Sequence, residues 1–359
     1  MSAVFESAVP ALAREERIEF TATGGEYFRI WIVNLLLTIV TLGVYSAWAK
    51  VRRNQYFYAS TRLAGSTFEY HGKPLAILRG RVVGVILLGA YQAALRYHPP
   101  TAGIVLLLIA GVMPWLVWKS LQFALHNSSY RGVRFGFRGS WKGAYLYYLG
   151  LPLLAGLTLG LLYPLVHQRI KRFQHAESRY GTTHFAFDAP VGQFYKVYGI
   201  LVGLLVLGGG VAFGVVAGLA GGVAALNGGT ADIAVRAGQV LIVFAGVLGW
   251  YAFTLCVVWA FMAILQNLIW NHTQLGPHRF RSTMTWPRLA GLYITNTLAI
   301  VCTLGLFIPF AQVRALKYRL ESTTLVVAGS LDDVVAAKGG DVNAVGESVA
   351  DLAGFDLAL

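Results

Sequence analysis

Apolar positions along this chain fall into seven runs, at about residues 27–49, 82–95, 101–118, 143–166, 197–226, 238–265 and 289–311. A helix needs roughly 20 apolar residues to cross ~30 Å of hydrocarbon, so the pattern predicts membrane helices. The second run is short, and Arg79 and Arg81 can extend it by snorkelling. His98-Pro99-Pro100 joins runs two and three, and Asn227-Gly228-Gly229-Thr230 joins runs five and six. Both read as tight turns between transmembrane helices. Within run five, Gly210, Gly214, Gly218 and Gly222 form a small-residue face of the kind that lets helices pack closely.

One pattern recurs three times. Thr41-Leu42-Gly43 returns as Thr158-Leu159-Gly160 and Thr303-Leu304-Gly305, with Arg52, Arg169 and Arg314 in register behind it. Asn34 matches Asn296, and Ser60-Thr61 matches Ser322-Thr323. In each unit an apolar helix reaches a glycine that loosens the backbone. Pro164 and Pro309 follow their glycines by four residues, where the proline ring opposes a continuous helix. Ala47 takes that place in the first unit, so its bend is expected to be milder. A basic, aromatic stretch follows, Lys50 to Tyr58 in the first copy, as expected at a membrane–water interface.

Between the helices lie short alternating segments: Ile18-Glu19-Phe20, Phe68-Glu69-Tyr70, Phe135-Gly136-Phe137, Phe185-Ala186-Phe187, His278-Arg279-Phe280 and Leu325-Val326-Val327. Each reads as a short strand. The expected fold is an all-α polytopic membrane protein with internal helix–bend–helix repeats. Its strands are expected to form a small sheet, or two, at the membrane surface. Residues 1–327 read as one membrane domain with repeat units at about 20–75, 135–190 and 280–327.

Composition supports the membrane reading. Of 359 residues 56% are hydrophobic and only 13% charged, where a soluble domain carries about 25%. Mean hydropathy is +0.59. The net charge of +13 reads as basic residues at the ends of apolar runs, not as a nucleic-acid surface. Residues 328–359 invert the sign with six acids and Lys338, and their composition predicts an acidic, flexible tail. The first 27 residues are polar and mixed in charge, so the first apolar run is expected to direct insertion.

These motifs also carry a resemblance. Gly25-Glu26-Tyr27-Phe28, Trp31, Asn34 and Thr41-Leu42-Gly43-Val44-Tyr45-Ser46-Ala47-Trp48-Ala49 resemble the YjgN-like family of bacterial inner-membrane proteins. So do Arg52, Tyr56-Phe57-Tyr58, and Phe68-Glu69-Tyr70 followed by Gly72. The likeness is sharp over residues 20–75 and continues in order to about residue 327; the acidic tail does not share it. It implies a multi-pass protein of the bacterial inner membrane and no particular activity. The family usually has proline where Ala47 stands.

Two topologies compete. Either all seven runs cross, or the three Thr-Leu-Gly runs dip in and return, leaving four crossing helices. Crossing by all seven would place the basic stretches 167–196 and 271–288 outside. The re-entrant arrangement leaves only Arg96 and Arg236 there, so charge favours it and makes residues 170–190 and 272–288 cytoplasmic. Hydropathy favours seven crossings, because runs of about 23 residues are long enough to span.

Candidate chemistry is sparse. No metalloprotease motif, phosphate-binding loop, dinucleotide fingerprint or metal-spaced cysteine pair is present, so neither catalytic residues nor a cofactor or metal is expected. His71, His167, His175, His184, His272 and His278 lie near predicted interfaces and read as solvated or capping. No apolar run after the first contains Asp or Glu. Arg52, Arg169 and Arg314 are candidates for anionic lipid headgroups. Asn34, Gly43, Gly160, Asn296 and Gly305 are candidates for a pore lining or a bend. The leading expectation is a transporter or channel for a small solute; the alternative is a non-catalytic membrane organiser that binds lipid or a partner.

Overall fold

The computed structural model describes residues 14–226 and 233–328. The Asn227–Thr230 turn and the acidic tail beyond residue 328 lie outside the described residues. The described chain is built as successive arms, each a helical hairpin held between strands.

The first arm comprises β1 (Arg14–Arg17), β2 (Glu19–Phe20), α1 (Gly24–Val40), α2 (Ser46–Ala59) and β3 (Thr61–Leu63). The second comprises β4 (Ser66–Tyr70), α3 (Pro74–Tyr97), α4 (Pro99–His126) and β5 (Ser128–Tyr130). The third runs through β6 (Val133–Phe137), α5 (Trp141–Tyr145), a π-helical turn (Leu146–Gly150), α6 (Leu151–Leu157), α7 (Tyr163–Ala176) and β7 (Ser178–Tyr180). The fourth runs through β8 (Thr183–Phe187), α8 (Val191–Leu226), α9 (Ile233–Asn271) and β9 (Thr273–Leu275). The fifth closes the series with β10 (His278–Ser282), α10 (Trp286–Cys302), α11 (Ile308–Glu321) and β11 (Thr323–Val327).

All the strands join one 11-stranded antiparallel sheet in the order β1-β11-β10-β9-β8-β7-β6-β5-β4-β3-β2. β1 and β2 are one stretch of chain interrupted at Ile18. Its first half pairs with β11 (Arg14 opposite Val327) and its second with β3 (Glu19 opposite Arg62). The sheet therefore returns to its starting strand as a barrel. This corrects the expected all-α protein with a small sheet: the surface segments are neither small nor separate, and each arm starts and ends in the same barrel. Their partner strands, such as Thr61–Leu63 and Ser178–Tyr180, span only three residues and carry no readable alternation.

A local rule repeats at every return to the barrel. The first residue of each returning strand is Ser or Thr, and its hydroxyl donates to the helix carbonyl four residues back. The bonds are Thr61 to Phe57 (2.8 Å), Ser128 to Ala124 (2.8 Å), Ser178 to Gln174 (2.6 Å), Thr273 to Ile269 (2.8 Å) and Thr323 to Arg319 (3.3 Å). The hydroxyl satisfies a carbonyl that the helix end leaves open and stops the helix. Two residues later an apolar side chain enters the lumen: Leu63, Tyr130, Tyr180, Leu275 or Leu325. Phe68, Phe135, Phe185 and Phe280 pack against them from the outgoing strands. The Tyr130 hydroxyl donates to the Leu63 carbonyl (2.6 Å) and that of Tyr180 to the Tyr130 carbonyl (2.9 Å). The barrel interior is a packed core, not a channel.

The arms come in two lengths. α3, α4, α8 and α9 are long and apolar enough to cross a membrane. α1 and α10 have 17 residues each and α2, α7 and α11 have 14. At each short-arm tip the chain reverses at Thr-Leu-Gly. Leu42, Leu159 and Leu304 adopt φ of 51°, 51° and 49°, and Gly43, Gly160 and Gly305 adopt 91°, 86° and 94°. The threonine hydroxyl accepts from the amide four residues on, at 2.9 Å (Tyr45), 3.3 Å (Leu162) and 3.0 Å (Phe307), and so ties the turn to the residue that precedes the returning helix. Pro164 and Pro309 sit in the first turn of that helix, where the missing amide costs nothing, so they start a helix instead of kinking one. The tip leucines are each 95% exposed, apolar side chains suited to lipid.

A seven-crossing chain would put β6 and β7 on opposite sides of the membrane. They pair directly, Phe135 opposite Tyr180 and Phe137 opposite Ser178, which excludes that topology. The glycine stripe in α8 also has a different setting from the expected one. A Cβ at Gly210, Gly214, Gly218 or Gly222 would meet nothing within 4 Å, whereas Gly208, Gly209 and Gly246 face Phe253, Trp250 and Val216 across the α8–α9 pair.

Candidate functional site

The returning helices α2, α4, α7, α9 and α11 converge above the barrel and leave a half-enclosed cavity of about 400 Å³. Every arm contributes to its lining: Tyr58, Leu125, Lys171, Trp270 and Arg319 come from arms one to five in turn. Phe135 and Phe185, which also belong to the barrel core, form its floor. The cavity therefore lies on the axis of the arms, closed below by the packed lumen.

Its polar groups gather on one side. His167, Lys171, Gln174 and His175 share one face of α7, because their spacing follows the helical period. Across from them, Arg319 Nε donates to Gln266 Oε1 (3.2 Å). No Asp or Glu is among the lining residues. His167 Nδ1 lies 2.8 Å from the Tyr198 hydroxyl, and His175 stacks on Phe187 and meets Trp270 edge-on. Burial, reinforced by the Lys171 charge, holds His167 down at about 4 and His175 at about 3, so both are neutral at pH 7. Burial and the nearby Arg319 charge also lower Lys171. A smaller cleft of about 40 Å³ shares Gln266, Trp270 and Arg319 with the cavity and reaches Ile18, at the break between β1 and β2.

The residues singled out from sequence lie elsewhere. Gly43, Gly160 and Gly305 form the short-arm tips. Asn296 and Arg314 come together: Arg314 donates to Asn296 Oδ1 (2.8 Å) and the Thr295 hydroxyl (3.2 Å), and Asn296 donates to the Ala311 carbonyl (3.3 Å). Asn34 is buried, and its Oδ1 has no partner among the described residues. Arg52 is exposed on α2. Arg169 joins Arg172, Asp188 and buried Gln168 around a separate cleft of about 350 Å³ where α8 begins. None of the eight lines the axial cavity.

Sequence reasoning missed Lys171, Gln174, Gln266 and Arg319. For Lys171 and Gln174 the signal was the polar face of α7, within a stretch whose basic residues also satisfied the charge rule for membrane sidedness; Gln266 on α9 and Arg319 on α11 carried no such signal. Among the described residues, no group of three metal-ligating side chains forms. One cluster mimics a hydrolytic site. His71 Nε2 lies 2.7 Å from Ser129 Oγ, but Ser129 donates to Glu69 (3.1 Å), and Glu69 approaches that same ring nitrogen at 3.5 Å. In a catalytic triad the carboxylate orients the ring through its other nitrogen.

Comparison with known proteins agrees with a membrane protein. "Inner membrane protein YjgN" of Salmonella typhimurium is 33% identical over 39% of this chain and 36% of its own length. Its Escherichia coli K12 namesake is 32% identical over 40% of this chain and 36% of its own length. The matched region thus spans about a third of each relative. No solved structure matches. The profile of bacterial proteins of unknown function designated DUF898 matches residues 15–352, and the chain belongs to that family.

Proposed function

We propose that this protein of the bacterial inner membrane is a transporter for a small solute held on the axis of the arms. One observation carries the reading: the cavity takes lining side chains from every arm and ends on the aromatic floor of the barrel. Sites at the interface of repeated units, near the middle of a bundle, are the usual place for a transported solute. The smaller cleft at Ile18 extends from the same Arg319, Gln266 and Trp270, offering a second approach at the barrel seam.

Osmotic swelling of proteoliposomes tests this. In isosmotic acetate, phosphate, glycerol or glucose, at least one solute is expected to enter faster than into protein-free liposomes. Rates equal to protein-free liposomes for all four would remove the transport reading.

A second reading, a non-catalytic lipid- or partner-binding organiser, is favoured by the packed lumen, which blocks the axis below the cavity. In that reading Arg52 and Arg169 supply headgroup contacts, with Arg172 beside Arg169. Arg314 is already committed to Asn296 and Thr295.

A further inference from the structure

We infer that the occupant of the axial cavity is an amphipathic anion, its charged head between Lys171 and Arg319 and its apolar body against Met262, Leu289 and Tyr293. The inference rests on the cavity being a ligand site, but not on transport.

The head follows from charge. Two cations enter one cavity with no carboxylate in its lining, and neither has a salt bridge among the described residues. Both are half-buried, and a charge partly withdrawn from water is ordinarily paired. Like charges in one cavity add repulsion, seen in the downward pull of Arg319 on Lys171. An anion offsets both costs. The donor set suits one. Arg319 uses Nε on Gln266, which leaves its outer nitrogens for an oxyanion. That bond also fixes Gln266 Oε1 as acceptor, so its amide nitrogen is the group left to donate. His167 and His175 flank Lys171 at four-residue spacing and are neutral at pH 7, so the positive charge in the lining comes from Lys171 and Arg319.

The body follows from the remaining wall. Leu121, Leu125, Leu265, Ile269 and Leu289 line the same space, so a bare inorganic ion would leave an apolar wall against water. A neutral apolar guest would leave both cations without a counter-charge. Met262 lines the cavity and is 49% exposed, which gives an apolar tail a way out between the arms.

Thermal unfolding of the purified full chain in an uncharged detergent tests this with octyl phosphate, inorganic phosphate and octanol as probes. Octyl phosphate is expected to raise Tm by several degrees, and each of the others by less than a third as much. The double variant Lys171→Met/Arg319→Met is expected to lose the shift while melting no lower than the parent without ligand, since it removes unpaired charge. Lys171→Gln and Arg319→Gln, which preserve polarity, should each lose more than half of the shift and keep the test informative should the double variant not fold. Inorganic phosphate matching octyl phosphate would overturn the amphipathic class. Octanol matching it would overturn the anion. A full shift in both glutamine variants would overturn the site. A shift without solute flux leaves the inference standing and removes transport, whereas flux without a shift does the reverse.

Discussion

Leu325→Ala is expected to lower the stability of the protein by about 2–5 kcal/mol, the range for emptying a fully buried leucine site. Leu325 is 1% exposed in the barrel lumen, beside Leu275, Tyr180 and Val327. Its strand pairs with β10 on one side and with the N-terminal strand on the other. The cavity left by alanine would therefore open at the closure of the barrel, where neighbours are tied on both sides and collapse poorly. Leu107, 74% exposed on α4, is the control. Alanine there is expected to change stability by no more than about 0.5 kcal/mol. Unfolding in mild detergent measures both, and similar losses at the two sites would contradict a packed lumen.

Valine in place of Gly43, Gly160 or Gly305 is expected to cost about 1–3 kcal/mol at each tip, and more in the triple variant. Crowding is not the cause, because a Cβ at Gly43 or Gly160 would meet nothing within 4 Å. The cost is conformational: φ near 90° is closed to a β-branched residue. Gly103→Val separates the two effects. Gly103 lies inside α4 with equally open space, and valine there has no left-handed backbone to strain. Equal losses at Gly103 and at the tips would contradict the reversal as the reason for glycine.

The recurrence of Thr-Leu-Gly marks three equivalent breaks in the sequence, but run length left open whether each run turns back or crosses; the reversal lies in an exposed leucine and a glycine in the left-handed region. The barrel was not legible, because a three-residue strand such as Thr273–Leu275 has too few positions to show a period. Its outgoing partners were visible as aromatic pairs, but nothing local said that Phe68 and Phe185 share one lumen. The helices α3, α4, α8 and α9 read as membrane spans, which their length and apolarity support, but that reading did not show that each pair also ends in barrel strands. A common mark did exist in Thr61, Ser128, Ser178, Thr273 and Thr323, each followed two residues later by a lumen side chain. Pro114 stands thirteen residues before the Asn127 cap, as Pro164 does before Glu177 and Pro309 before Ser322. The cavity needed the barrel first. Lys171 and Arg319 belong to different arms, and only closure of the sheet brings them to one space.

Every arm leaves and re-enters one barrel, so all the barrel hairpins must lie on one side of the membrane. Site-by-site labelling tests it most directly, after Cys256 and Cys302 are replaced by serine. Single cysteines at Arg131 and Thr182 sit on exposed turns of adjacent barrel hairpins, and one at His98 sits between α3 and α4 at the far end. In intact cells an impermeant thiol reagent is expected to label His98→Cys and to spare Arg131→Cys and Thr182→Cys. Both barrel positions should react after permeabilisation, because the positive-inside rule predicts a cytoplasmic side for the basic barrel end. Labelling of Thr182→Cys from outside while Arg131→Cys stays protected would place adjacent hairpins on opposite faces and contradict the single barrel.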